Sequence, residues 1–511
     1  GRGKYEEAVV VMEEAARLRP EDAGIHVRLA AVYDTMGDEE ARLMHLRTGL
    51  EVDRANPVVN LELGKYHYKQ GNLKRAGEYL ARAVESDSQN ARIRYAYAKL
   101  LFDTDMKDEA FEHAAWTAKK APYNVDYLLL HAQAAEATGR REQAIAVTEQ
   151  ALTNETNNMA LLKLAGMLYH EEGRLRDAKE WMQKAVSVDD GCGECYRVLG
   201  EIHLKENLYT RATSYLRLAL DEIGYDERIA MMLGDGLRKS MEYDKARDVF
   251  EDVLSKNRSQ NEARYYLVHF ALLAGNVKQA KELVRKFDRS EKTMWHHLAA
   301  GELHEARKEM DAAMISYGVA LRLKPECSEA LSGFGRVNIA RGEYEVAVEN
   351  IGKAMVANPY NPYLTVDLGR AYEGMGNLAS AIEFYKEVVK NYPQVSEAYY
   401  CLAGALSRME KYRKAMSVIN EGLSRCPHCP KLYMALGREY QRMAKHEDAV
   451  RAYHEAVRKG GESFIDAYMH IASIYANDLE DDKNAEKYFN KYLKAGGQKE
   501  KFKKQMAIVE E

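Results

Sequence analysis

The stretch PYLTVDLGRAYEGMGNLASAIEFYKEVVKNYPQV, residues 362–395, decides the fold. It opens on Pro362, where a helix can begin because the N–H that proline lacks has no partner there anyway. Apolar residues then recur at helical spacing through Leu368 and Tyr372. Gly376 breaks the run, a second helical run carries Ala381, and Pro393 ends it. Two antiparallel helices need small residues where their axes cross most closely, and Gly369 and Ala381 supply them.

The same 34-residue pattern recurs along the chain. Segments begin at Ala23, Pro57, Ala91, Val125, Met159, Gly193, Glu227 and Asn261 without a gap. One deletion moves the next starts to Met294, Ser328, Pro362, Ser396 and Pro430, and one extra residue puts the last at Ile465. That makes fourteen full repeats preceded by half of one. Position 8 is Gly or Ala everywhere but Val268, and position 20 is alanine from Ala8 to Ala449 except at Arg42, with Ala485 one place later in the last repeat. All nine prolines fall at position 32 or position 1, so each marks a helix boundary. Glycine or a polar residue at position 15 makes the turn between the two helices.

These residues resemble the tetratricopeptide repeat family, down to Tyr33, Tyr169, Tyr372, Tyr440 and Tyr475 at position 11. The repeats look closest to bacterial ones. The tryptophan usual at position 4 is absent, with Tyr196, Tyr399 and Tyr433 nearest to it. The resemblance implies an all-α, right-handed superhelical solenoid of antiparallel helix pairs, with first helices lining a concave groove. It divides the chain into residues 1–22 (second helix of a truncated repeat), 23–293 (repeats 1–8), 294–497 (repeats 9–14) and 498–511 (a C-terminal capping helix). We therefore expect a chain cut at its start and natural at its end, where Phe502, Met506 and Val509 would face inward.

Composition agrees with such an array. Apolar residues are 46% and charged residues 30%, enough of each to fold and to stay in solution. A net charge of −5 argues against a nucleic-acid binder, and pentatricopeptide RNA readers would show a 35-residue period and a basic groove. No apolar run is long enough to insert in a membrane, and Gly1 to Ala8 does not read as a signal peptide. The cytoplasm and a bacterial periplasm or envelope both remain open as compartments.

Little suggests catalysis. Cys192-Gly-Glu-Cys195 and Cys426-Pro-His-Cys429 have redox spacing but no thioredoxin-like domain around them. They are read as inter-repeat loops, free to be oxidised in an exported protein. The two pairs are seven repeats apart, too far to share a zinc ion. His296, His297 and His304 are read as core or interface residues, and Cys401 as buried. Without a phosphate loop, dinucleotide fingerprint or nucleophile elbow, we expect no enzyme, cofactor or metal.

Function should lie in the groove, which on the family's geometry is lined by positions 2, 5, 9, 12 and 13. There Arg336, Arg370, Arg408, Arg438 and Arg442, with Tyr363, Tyr400 and Met434 between them, would form a basic, partly aromatic stripe. Lys65, Lys69, Arg92, Tyr95 and Lys99, with Tyr68, would form a second basic patch. Glu194, Glu201, Asp235, Glu262, Glu302 and Glu305 make the middle acidic. Such a stripe suits an acidic extended peptide or helix of another protein. The lysine and asparagine order of a chaperone-tail clamp is missing. A change of pitch is expected near Val253, Val268 and Phe287, with Trp295 just past the seam. The expected function is a protein-binding scaffold within a larger assembly. The alternatives are the recruiting arm of a larger enzyme, and self-association through the exposed ends.

Overall fold

The first helix of each repeat from 1 to 13 begins at the residue that opens its segment, from Ala23 and Pro57 to Ser396 and Pro430. The reason lies one residue upstream. Asp22, Asn56, Asn90, Asn124, Asn158, Asp226, Gln260 and Asn361 each turn a side-chain oxygen onto amides of the first turn that lack a helical partner. This computed structural model describes residues 2–287, 293–498 and 500. Among them are 29 α-helices and no strand.

The turn inside each repeat has one backbone solution. Position 15 lies in the left-handed region at Gly37, Gly71, Gly139, Gly173, Gly275, Gly342 and Gly376. The same conformation is adopted without glycine at Asp105, Asn207, Met241, Lys308, Glu410 and Ala444. Met241 and Ala444 correct the expectation that a non-glycine residue there is polar. Holding a side chain in that region costs about 1 kcal/mol, so packing of the two helices imposes the turn.

The packing itself centres on position 8. A Cβ on Gly64 would stand 2.6 Å from the Leu80 side chain, and one on Gly369 2.5 Å from the Tyr385 ring. Gly200 meets Leu216 and Gly437 meets Tyr453 in the same way. Position 20 stays closed as well, with Ala76, Ala212, Ala381 and Ala449 fully buried. Repeats join by the same device: the Tyr317 ring lies between Gly301 of its own repeat and Gly333 of the next.

The chain forms two compact units, Gly1–Ala246 and Arg247–Glu511. In the first, the helix Arg2–Leu18 packs on Ala23–Met36 and leaves Val10, Val11 and Leu18 exposed. In the second, the second helix of repeat 8 is only Val277–Arg285, nine residues against fourteen in Tyr344–Ala357. Val253 and Val268 are fully buried. The missing residue of the frame is expected around 288–293, of which 288–292 lie outside the described residues, as does most of the expected capping helix over 498–511. The last repeat departs from the pattern: its first helix, Asp466–Ser473, passes into a π-helical turn, Ile474–Asp478.

The cysteine pairs resolve differently. Cys192 and Cys195 form a disulfide: Cys192 stands in the inter-repeat loop as the cap of helix Gly193–Lys205, and only Cys195, in the first turn of that helix, departs from the expected loop. Cys426 and Cys429 are free thiols, half-buried at the ends of two successive helices, and Cys401 is buried.

Two outcomes are expected. Gly333→Leu drives a side chain into the Tyr317 ring and should cost about 1–3 kcal/mol, read as faster amide exchange in repeats 9 and 10. In repeat 1 the His26 and His45 rings stack, with their Nδ1 atoms 3.3 Å apart. Burial holds both below the usual 6.5, against Asp22 and Glu13, and each ring's charge would oppose the other's. The unfolded chain thus takes up protons first, and stability is lost as pH falls below 6.5. Amide protection factors in repeat 1, corrected for the intrinsic rate, should fall as pH drops from about 7 to about 5.5, and His45→Phe should flatten that dependence.

Candidate functional site

In the second unit, the first helices of repeats 9 to 13 place charged residues so that each bridges to a neighbouring repeat. Arg336 donates to both carboxylate oxygens of Glu305, at 2.7 and 2.9 Å, and stands 3.7 Å from Asp367. Asp367 also accepts from Arg370 at 3.1 Å, Arg370 reaches Glu397, and Glu397 pairs with Lys431 at 2.9 Å. The Tyr317 hydroxyl donates to Glu305 at 2.8 Å. The ladder thus runs from helix Met294–Ala306 to helix Pro430–Arg442 with one carboxylate between successive cations.

Burial decides how these groups titrate. It pushes the Asp367 carboxyl up, and the two arginines offset only part of that. Burial opposes the charge on Arg336 too, but Glu305 and Asp367 hold it fully cationic. Glu397 is held below the usual range because Arg370 and Lys431 outweigh its desolvation. Glu302 is low for a like reason, with His269 at 3.0 Å and Arg336 beyond.

Toward its C-terminal end the face opens. Arg408 pairs with Glu373, and Arg442 with Glu439 at 2.8 Å. Arg438 is different. It is exposed and contacts the Tyr400 hydroxyl at 3.2 Å and the Met434 carbonyl at 3.4 Å, with no carboxylate partner among the described residues. Its guanidinium stands 5.8 Å over the Tyr400 ring, and the Met434 side chain is half-buried. Tyr363 lies one repeat before Tyr400, half-buried in the first turn of helix Pro362–Gly374. At the other end, Trp295 packs on the rings of Tyr265 and Tyr266, 5.5 and 6.0 Å away.

In the first unit, Glu62 gathers three cations: Lys65 at 3.2 Å, Arg92 at 3.3 Å and Arg42 at 3.5 Å. Lys99 stands 5.8 Å over the Tyr68 ring, and the Tyr68 hydroxyl donates to Asp103. Burial and that carboxylate push Tyr68 up to about 12. Tyr95 pairs with Tyr127 at 4.7 Å rather than with a cation, while Lys69 is exposed with no carboxylate partner among the described residues. Farther on, Glu201 takes Arg197 and Arg228 together.

Reading down single positions of the repeat missed Asp367, Glu373, Glu397 and Glu439, the acidic half of this face. The signal was present, since Asp367 precedes Arg370 by three residues, a spacing that brings helical side chains together. Among the described residues no group of three or more His, Cys, Asp or Glu is placed to hold a metal ion. None of their helices is long and apolar enough to cross a membrane.

Paired antiparallel helices repeating every 34 residues, with charges shared between neighbours, define a helical-repeat protein. Profiles described as tetratricopeptide repeat match residues 61–125, 129–192, 231–290 and 434–500, and a second such profile matches 338–406. The chain belongs to the tetratricopeptide repeat family, whose fold is that of protein-interaction scaffolds. It is 20% identical over 317 residues to TPR repeat-containing protein YpiA of Bacillus subtilis (strain 168), covering 55% of this chain and 75% of that one. It is 21% identical over 329 residues to BBSome complex member BBS4 of Bos taurus, covering 64% and 62%. It is 25% identical over 215 residues to protein O-mannosyl-transferase TMTC1 of Homo sapiens, covering 38% of this chain and only 24% of that one. Among solved structures, the APC/C hetero-tetramer Cut9-Hcn1 is similar in fold, with a TM-score of 0.52 at 15% identity over 89% of this chain and 96% of the other.

Glu305→Ala should leave the Arg336 guanidinium and the Tyr317 hydroxyl short of their shared acceptor. The expected cost is about 1–3 kcal/mol, read as earlier denaturant unfolding of the second unit, with Glu305→Gln intermediate.

Proposed function

We propose that this chain is a non-catalytic scaffold that holds an extended or helical segment of another protein along its first-helix face, as a subunit of a larger assembly. The observation that carries this reading is Arg438. The other candidate arginines of the stripe each meet a carboxylate of the chain itself, whereas Arg438 is held by a tyrosine hydroxyl and a backbone carbonyl. A guanidinium so placed keeps its bidentate donors for an incoming carboxylate, and the Tyr400 ring and Met434 offer apolar contact beside it. An acidic segment is therefore the partner chemistry the face suits. BBSome complex member BBS4 and the Cut9-Hcn1 tetramer, similar to this chain, are by their names parts of assemblies.

A second reading is that the chain is the recruiting arm of a larger enzyme. It is favoured by the 25% identity to a mannosyl-transferase of which this chain covers only 24%. A catalytic domain encoded in the same reading frame would decide for it.

The first reading is tested by identifying the partner through purification from the source cells, then repeating capture with variants. Arg438→Glu is expected to weaken capture by roughly tenfold to a hundredfold and Tyr400→Ala by less, with unchanged melting of the scaffold. Undiminished capture by Arg438→Glu would sink this site.

A further inference from the structure

On the opposite side of the second unit, away from the first-helix face, the array carries a cleft of about 1100 Å³. Its walls are the second helices of repeats 11 and 12, Leu378–Asn391 and Tyr412–Arg425, and its floor is the first helix of repeat 12, Ser396–Arg408. The volume slightly exceeds the range of roughly 300–1,000 Å³ typical of small-molecule sites. The floor is apolar: Leu402, Leu406 and Ile382 lie at its base, with Val418 and half-buried Phe384 on the walls.

The rim has the opposite character. Lys386, Lys390, Lys411, Lys414 and Arg425 line it, against only two carboxylates, Glu383 and Glu421. Glu383 is already taken by Lys386 at 2.8 Å. Lys390, Lys414 and Arg425 are exposed and pair with no carboxylate among the described residues. On a chain whose net charge is −5, this is a local reversal of sign around an apolar trough. Neither property alone indicates a partner. Together they match an amphipathic helix, which lays an apolar stripe into a groove and needs the groove's edges to complement its flanking charges.

We propose that this cleft docks an acidic amphipathic helix of a partner protein, with its apolar stripe on Leu402, Leu406, Ile382 and Val418 and its carboxylates on the lysine rim. The site is independent of Arg438 and stands or falls separately from it.

The test starts from a displayed library of random peptides, selected on the whole chain and counter-selected on Ser417→Trp, which fills the cleft from an exposed wall position. Selected peptides should carry apolar residues at i, i+3 or i+4, and i+7, flanked by Asp or Glu. A synthetic copy should lose affinity about tenfold or more on the double change Lys390→Glu and Lys414→Glu. The same reversal at exposed Arg322 and Lys324, outside the cleft, should leave affinity within about twofold, and all variants should melt like the wild type. The proposal is overturned if the selected peptides have no acidic bias, or if none distinguishes the wild type from Ser417→Trp. It is overturned in favour of a membrane surface if phosphatidylserine vesicles bind more tightly than the peptides and lose that binding on the lysine reversal.

Discussion

Where two helices of one repeat come closest, there is no room for a side chain, and the rest of the architecture follows from that. A glycine or alanine at position 8 lets the opposite helix bring Leu80, Leu216, Tyr385 or Tyr453 against bare backbone. Close approach of this kind maximises dispersion contacts while keeping the interior at crystal-like density. It also dictates the turn, because helices held so close leave the connecting residue one conformation, left-handed even at Met241 and Ala444. The small residues are therefore the constraint, and the glycine turns are one way of meeting it.

Packing sets the helices side by side; charge then ties neighbouring repeats together in the second unit. A buried carboxylate between two guanidiniums is costly to desolvate, as the raised Asp367 shows, and is tolerated because each ion meets two partners. Such a ladder adds little net stability, because the pairing mainly offsets the desolvation of its own ions. It also leaves most of that face electrically satisfied. On the readings proposed above, a further anion would go to cations outside the ladder, Arg438 on one side of the unit and the lysine rim on the other.

Much of this was legible in the residues alone. The start of every first helix through Pro430, the crossing residues and the turns all follow from sterics acting within one 34-residue period, so a single frame exposes them. Other features follow from interactions the frame does not contain. The π-helical turn at Ile474–Asp478 takes up one residue inside the last repeat, which sets Ala485 one place past position 20. The acidic partners of the stripe went unread because Glu397 meets Arg370 across a repeat boundary, whereas like charges had been traced down one position. The capping role of Cys192 is hard to read because asparagine or aspartate fills that position in seven other repeats, and sulfur there carries no strong helix signal.

The nine-residue helix Val277–Arg285 gives the second unit a mechanical asymmetry. Stretched along its length, a stack of helix pairs yields first where the fewest apolar contacts and inter-repeat ions must be broken together. Repeats 9 to 13 are riveted by the ladder, whereas the second helix of repeat 8 buries little beyond Ala280. Under tension the helix Val277–Arg285 would peel away first, while the first helix of repeat 8 stayed tied to repeat 9 through Glu302.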